Sequence, residues 1–168
     1  LNACKNLENS GVDAIILCAN TAHLYIDILQ KEIYVPIINI ISATGNEINR
    51  QGFRKVLLLG TKYTMELPFY KVGLKAQNID CVVPHESDRI YIQQTLRDEL
   101  GANIIKQETK QRYISIINKW AESDIEAVIF GCTEIPLLIA PEDISIPVFD
   151  TTQIHAQAAV DFILTSHK

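Results

Sequence analysis

No apolar run in this chain approaches the ~20 residues that a membrane-spanning helix needs, and no secretory signal pattern is visible. A basic stripe is also missing. The formal net charge is −5, which argues against a nucleic-acid backbone as partner. The four cysteines, at 4, 18, 81 and 132, lack the short spacings of a disulfide scaffold or a zinc ribbon. "GTKYT" at 60–64 fits neither the phosphate-loop nor the dinucleotide glycine pattern. No lysine stands out as an anchor for pyridoxal phosphate. Low-complexity segments and Pro/Gly/Ser-rich linkers are absent too. What remains is a soluble, globular, cytoplasmic protein with reduced thiols.

The 168 residues suffice for one or two compact cores. Hydrophobic residues make up 48% and charged residues 21%, so composition selects no specialised class. The opening "LNACKNLENSGVD" has no initiator methionine and reads as the tail of a helix ending at Gly11. A segment preceding residue 1 is therefore expected.

Short apolar runs rich in Val and Ile recur along the chain: 13–18, 33–40, 55–60, 79–84, 126–132 and 146–151. Such runs suit strands buried on both faces. Between them lie helical patterns, with Tyr113, Ile116, Ile117 and Trp120 on one face. Alternation of this kind predicts an α/β fold, with parallel sheets flanked by helices.

An internal echo divides this pattern. Pro36, in "VPIIN", lies 18 residues after Cys18, and Pro147, in "IPVFD", lies 15 after Cys132. Both second strands run into Ser/Thr-rich helix starts, "SATGNEI" and "TTQIHAQAAV". Two similar lobes, each presenting one cysteine, are expected. Lobe one is assigned residues 1–43 and 149–168, and lobe two residues 44–148, with the active site in the cleft between them.

Ligands of open parallel sheets bind beyond the carboxyl ends of the strands, where Cys18 and Cys132 fall. A helix start there favours negative charge and lowers a thiol pKa from ~8.5 toward neutrality. The same N–H groups, with Asn20, Thr21 and Thr133, can hold a substrate carboxylate. "LLLGTKYTME" supplies a third such loop, with Thr61 after the strand and Thr64 as the expected helix cap. The plain alternative is that free cysteines simply pack. That reading is assigned to Cys4 and Cys81. A zinc site from Cys18, His23, Cys132 and His155 matches no common spacing, and no metal is expected. His23 and His155 read as helix-start hydrogen-bonders, and His85 and His167 as solvated surface residues.

"IILCANTAH" and "VIFGCTEIPLL" resemble the two cysteine motifs of the aspartate/glutamate racemase family. "LLLGTKYTMELPFY" and "PVFDTTQIHAQAAV" resemble matching segments of its aspartate racemase branch, near the broad-specificity amino-acid racemases. The resemblance covers the whole chain. The family's first strand and its Gly-rich, Ser-containing loop have no counterpart here. The resemblance implies a cofactor-independent, two-base racemase of a small-molecule amino acid. Cys18 and Cys132 would face opposite sides of the substrate Cα, with Asn20, Thr21, Thr61 and Thr133 orienting it. Glu134 would tune Cys132, bind the substrate ammonium or cap a helix. Strict aspartate racemases carry a lysine after an "EEL" segment. Here "DELGANIIK" has Ala102 near that place and Lys106 farther on, which points to a broader substrate range. A homodimer is expected. The alternatives are a non-catalytic small-carboxylate-binding protein and a thiol redox protein using Cys18 and Cys132.

Overall fold

The computed structural model describes residues 1–166, so His167 lies outside the described residues. The chain begins with helix α1 (Asn2–Asn9), and Gly11 follows at φ +80°, the left-handed conformation that ends a helix. Strand β1 (Ile15–Ile16) leads through a 3₁₀ turn (Asn20–Tyr25) and helix α2 (Ile26–Gln30) to β2 (Ile37–Ile38) and α3 (Ile40–Arg50). Strand β3 (Lys55–Gly60) is followed by α4 (Lys62–Glu66), α5 (Pro68–Lys75), β4 (Asp80–Val82), α6 (Glu86–Asp98), a 3₁₀ turn (Leu100–Ala102) and α7 (Gln107–Ala121). Strand β5 (Ala127–Gly131), α8 (Ile135–Leu138), β6 (Val148–Asp150) and α9 (Thr151–Ser166) complete the chain.

Two parallel sheets form, as the alternating pattern predicts. β1 pairs with β2, and a four-stranded sheet has the order β4-β3-β5-β6. The central strands read as continuous apolar runs because both faces are covered. On one face Leu57, Leu59, Val128 and Phe130 pack against α6, α7 and α8. On the other, Val56, Leu58, Ala127 and Ile129 pack against α3 and α5. A small core of Cys4, Ile15, Ile33 and Ile37 serves the two-stranded sheet.

The lobe boundaries need correcting at β6. Val148 and Phe149 pair with Val128 and Ile129 of β5, and Phe149 is buried with the four-stranded sheet. An apolar residue placed to fill that core carries β6 into lobe two, although residues 149–168 were expected in lobe one. The boundary between 43 and 44 falls inside α3. Helix α9 packs against α3, β5 and β2, and thus touches both sheets.

The internal echo extends into the hydrogen bonding. Ile15 N–H donates to Pro36 O and Val128 N–H donates to Pro147 O, both at 2.9 Å. Three residues after each proline stands a helix cap. Asn39 Oδ1 accepts from the N–H groups of Ile41 and Ser42, and Asp150 Oδ1 from those of Thr152 and Gln153. The helices so capped, α3 and α9, pack against one another.

Candidate active site

The carboxyl ends of β3 and β5 lie side by side because Gly60 pairs with Gly131. A Cβ at Gly60 would meet Gly131 O at 2.9 Å, and one at Gly131 would meet Leu59 O at 2.9 Å. Glycine at both positions lets the strands end together. Thr61 and Cys132 consequently follow on adjacent strand ends.

Thr61 caps α4: its Oγ1 accepts from Thr64 N–H at 3.3 Å. Thr64, expected as the cap, is instead a fully buried residue in the first turn. The Oγ1 atoms of Thr21, Thr61 and Thr64 form a triangle with edges of 2.9, 3.2 and 3.1 Å. Three hydroxyls can each donate once and accept once around such a ring. Thr21 comes from the 3₁₀ turn after β1, so the ring ties the Cys18 segment to lobe two. Sequence reading placed Thr21 and Thr61 in the site and missed that Thr64 joins them. The spacing of Thr61 and Thr64, cap to third helical position, was the available signal.

Cys132 sits in a different local field from the one its position suggests. Its Sγ–H donates to Glu134 Oε2 at 2.8 Å, and Thr133 Oγ1–H donates to the same oxygen at 2.7 Å. Burial first, then the bond to Glu134 and its negative charge, push the Cys132 thiol up to about 12. The N–H groups of Thr133 and Glu134 pull the other way and are outweighed. The expected lowering toward neutrality is therefore corrected for Cys132: the helix that follows has four residues, and a carboxylate faces the sulfur. For Glu134, burial works upward, but the bonds from Cys132, Thr133 and its own N–H hold it below the ordinary carboxyl value.

Cys18 is solvent-exposed, between β1 and the 3₁₀ turn. Asn20, two residues on, is 5% exposed. Its Nδ2–H donates to Thr151 Oγ1 at 2.9 Å, and its buried Oδ1 has no hydrogen-bond partner. Cys4 is buried, and burial pushes the half-buried Cys81 thiol up to about 12, in keeping with packing roles.

His23 and His155 both bond to backbone. Ile40 N–H donates to His23 Nε2 at 3.1 Å, so Nδ1 carries the proton and donates to Ala19 O at 3.0 Å. Both ring nitrogens are used. Burial is the main reason the His23 pKa is lowered. His155 Nε2–H donates to Ile38 O at 2.8 Å. Among the described residues, no group of three or more His, Cys, Asp or Glu side chains could hold a metal ion. His85 is exposed and lies against Trp120.

Ala102 lies on the 3₁₀ turn that packs against α8, the helix that follows the Cys132 loop. Lys106 Nζ is held by Glu99 at 2.9 Å. A groove of about 490 Å³ between α3 and α9 contains none of the expected site residues. Within it Arg50 pairs with Glu47, and Gln157 with Asp161.

The chain thus has parallel sheets flanked by helices, with a cysteine in the loop after β1 and another in the loop after β5. The chain belongs to the Asp/Glu/hydantoin racemase family, whose description matches residues 1–159. It is 26% identical over 168 residues to the broad specificity amino-acid racemase RacX of Bacillus subtilis, covering 98% of this chain and 70% of that protein. An aspartate racemase homologue from Pyrococcus horikoshii OT3 is 41% identical with a TM-score of 0.88, covering 96% of this chain and 71% of that one. The aspartate racemase of Picrophilus torridus is 27% identical with a TM-score of 0.73, over 95% and 66% of the two chains. No helix among the described residues is long and apolar enough to cross a membrane.

Proposed function

We propose that this protein is a cofactor-independent amino-acid racemase in which Cys18 and Cys132 are the acid/base pair. The observation that carries the reading is the placement of both cysteines on loops at strand ends, within a chain of this family. One thiolate takes the α-proton, and the electron pair it leaves on Cα is delocalised into the carboxylate. The opposite thiol then delivers a proton to the other face. A single base would tend to return the proton to the side it came from, so inversion is simplest with two groups in opposite protonation states.

The bond from Cys132 to Glu134 supports a starting state in which Cys132 is the protonated partner. Enantiomers have equal free energy, so kcat/KM must be equal in the two directions whichever thiol begins charged. Thr21, Thr61 and Thr133 are assigned to the substrate carboxylate. Asn20 is assigned to orienting the substrate from the Cys18 loop, and Glu134 to tuning Cys132 and meeting the substrate ammonium.

An acidic or broader substrate range is part of the proposal. Breadth is supported by Ala102 near the expected lysine position and by Glu99 holding Lys106. A homodimeric form and a reducing, cytoplasmic setting complete it, to be checked by sedimentation and thiol titration. The test of function is a racemisation screen against the common amino acids after dialysis with chelator. Activity without added metal or pyridoxal is expected. Activity that returns only with zinc would overturn the cofactor-independent reading.

A further inference from the structure

A buried hydrogen-bond chain runs from one cysteine loop to the strand of the other. Thr151 Oγ1–H donates to Phe130 O at 2.8 Å, and Asn20 Nδ2–H donates to Thr151 Oγ1 at 2.9 Å. Thr151 is completely buried. A hydroxyl has a single proton, and Thr151 commits it to Phe130. The Asn20 amide must therefore present its nitrogen, which fixes the orientation of that side chain. Asn20 lies two residues after Cys18, and Phe130 lies two residues before Cys132. Thr151 itself opens α9, directly after the Asp150 cap. The threonine ring of Thr21, Thr61 and Thr64 also joins the lobes, but it ends on the β3 loop and not on the strand that carries Cys132.

We propose that Thr151 is a positioning residue that sets the spacing and facing of the Cys18 and Cys132 loops across the substrate. The inference rests on the reading of these cysteines as the acid/base pair. Proton transfer between fixed groups is sensitive to placement, and a misplacement of ~1 Å costs ~10²-fold in rate. The deprotonated substrate has two fates. It is protonated from the opposite thiol and inverts, or it regains a hydron from the thiol that attacked it and keeps its configuration. Loosening the link between the loops weakens the first route and leaves the second, which needs one loop alone. In deuterium oxide the second route appears as α-deuterium in unreacted substrate, once the attacking thiol has exchanged with solvent.

The experiment compares the wild type with Thr151→Val and Thr151→Ser on whichever amino acid the wild type racemises fastest. Inversion is followed by circular dichroism and α-exchange by proton NMR. Thr151→Val should lower kcat by ~10–10²-fold in both directions with little change in KM, and raise the exchange-to-inversion ratio by a similar factor. Thr151→Ser keeps the hydroxyl and should return both toward wild type. If Thr151→Val does not fold, Thr151→Ala replaces it. A purely structural role would lower the thermal midpoint and leave the ratio unmoved. A folded variant with the wild-type ratio therefore overturns the assignment, as does a ratio that the serine variant fails to restore. Failure of the underlying reading looks different: no racemisation by the wild type, or near-normal racemisation without either cysteine, which removes the basis for the Thr151 role as well.

Discussion

Cys132 is held as a thiol by its neighbour. Burial and the Glu134 carboxylate oppose its ionisation more strongly than two backbone N–H groups favour it. A substrate ammonium placed beside Glu134 would offset that carboxylate, so ionisation of Cys132 is tied to occupancy. Two outcomes follow for the substrate-free protein. Iodoacetamide should modify exposed Cys18 first. Cys132 and Cys81 should lag at neutral pH because burial holds them as thiols and the thiolate is the reactive form, and Cys4 should lag because it is buried. Glu134→Gln removes both the negative charge and the charged acceptor, so Cys132 should then alkylate faster and at lower pH, read by mass spectrometry of the labelled peptides. A Cys132 that labels as fast as Cys18 before the substitution would contradict the Glu134 assignment. The sequence placed Cys132 and Glu134 two residues apart, which was enough to nominate both. It could not show that the side chains meet, and the sign of the pKa shift depends on that contact.

At the scale of elements, the strand ends and helix starts carry the site. Gly60 and Gly131 meet across β3 and β5, and an added Cβ at either would meet backbone oxygen at 2.9 Å. Gly60→Ala should therefore destabilise the protein by ~1–3 kcal/mol, the usual cost of overpacking, in chemical denaturation. It should also weaken activity, because the Thr61 and Cys132 loops start from this pair. An unchanged midpoint would mean the strands separate freely there. Helix α3 gives a second outcome. His23 accepts from Ile40 N–H, and its pKa is lowered from 6.5 mainly by burial. The unfolded chain therefore binds the extra proton more readily than the folded one. The stability His23 contributes is complete above 6.5 and is lost as the pH falls through its folded-state value. His23→Gln should flatten that acid-side loss in thermal melts across pH. The strands of the large sheet were legible because burial on both faces leaves unbroken apolar runs. The echo of Cys18–Pro36 and Cys132–Pro147 was legible for the same reason. β6 went to the wrong lobe because its pairing partner is a tertiary choice that a run of three residues does not encode. Thr64 was read only as a helix cap and Thr151 only as part of a Thr-rich helix start, because a buried threonine hydroxyl leaves the same trace in sequence as a helix-start one.

Across the whole molecule, the proposed reading has inversion at Cα use one cysteine on each face of the substrate, and the segments that carry Cys18 and Cys132 are tied to one another. The threonine ring and the Asn20–Thr151–Phe130 chain both cross between the lobes. The central claim is that Cys18 and Cys132 are opposed and both necessary. The most direct measurement is racemisation by Cys18→Ala and Cys132→Ala in deuterium oxide, with inversion and α-deuterium followed together. Each variant should lose inversion in both directions, by at least the ~10²–10⁴-fold that positioned acid–base catalysis is worth. Any remaining α-exchange should select one enantiomer, and the two variants should select opposite ones. Near-wild-type racemisation by either variant, or residual exchange of the same enantiomer by both, would contradict the opposed pair.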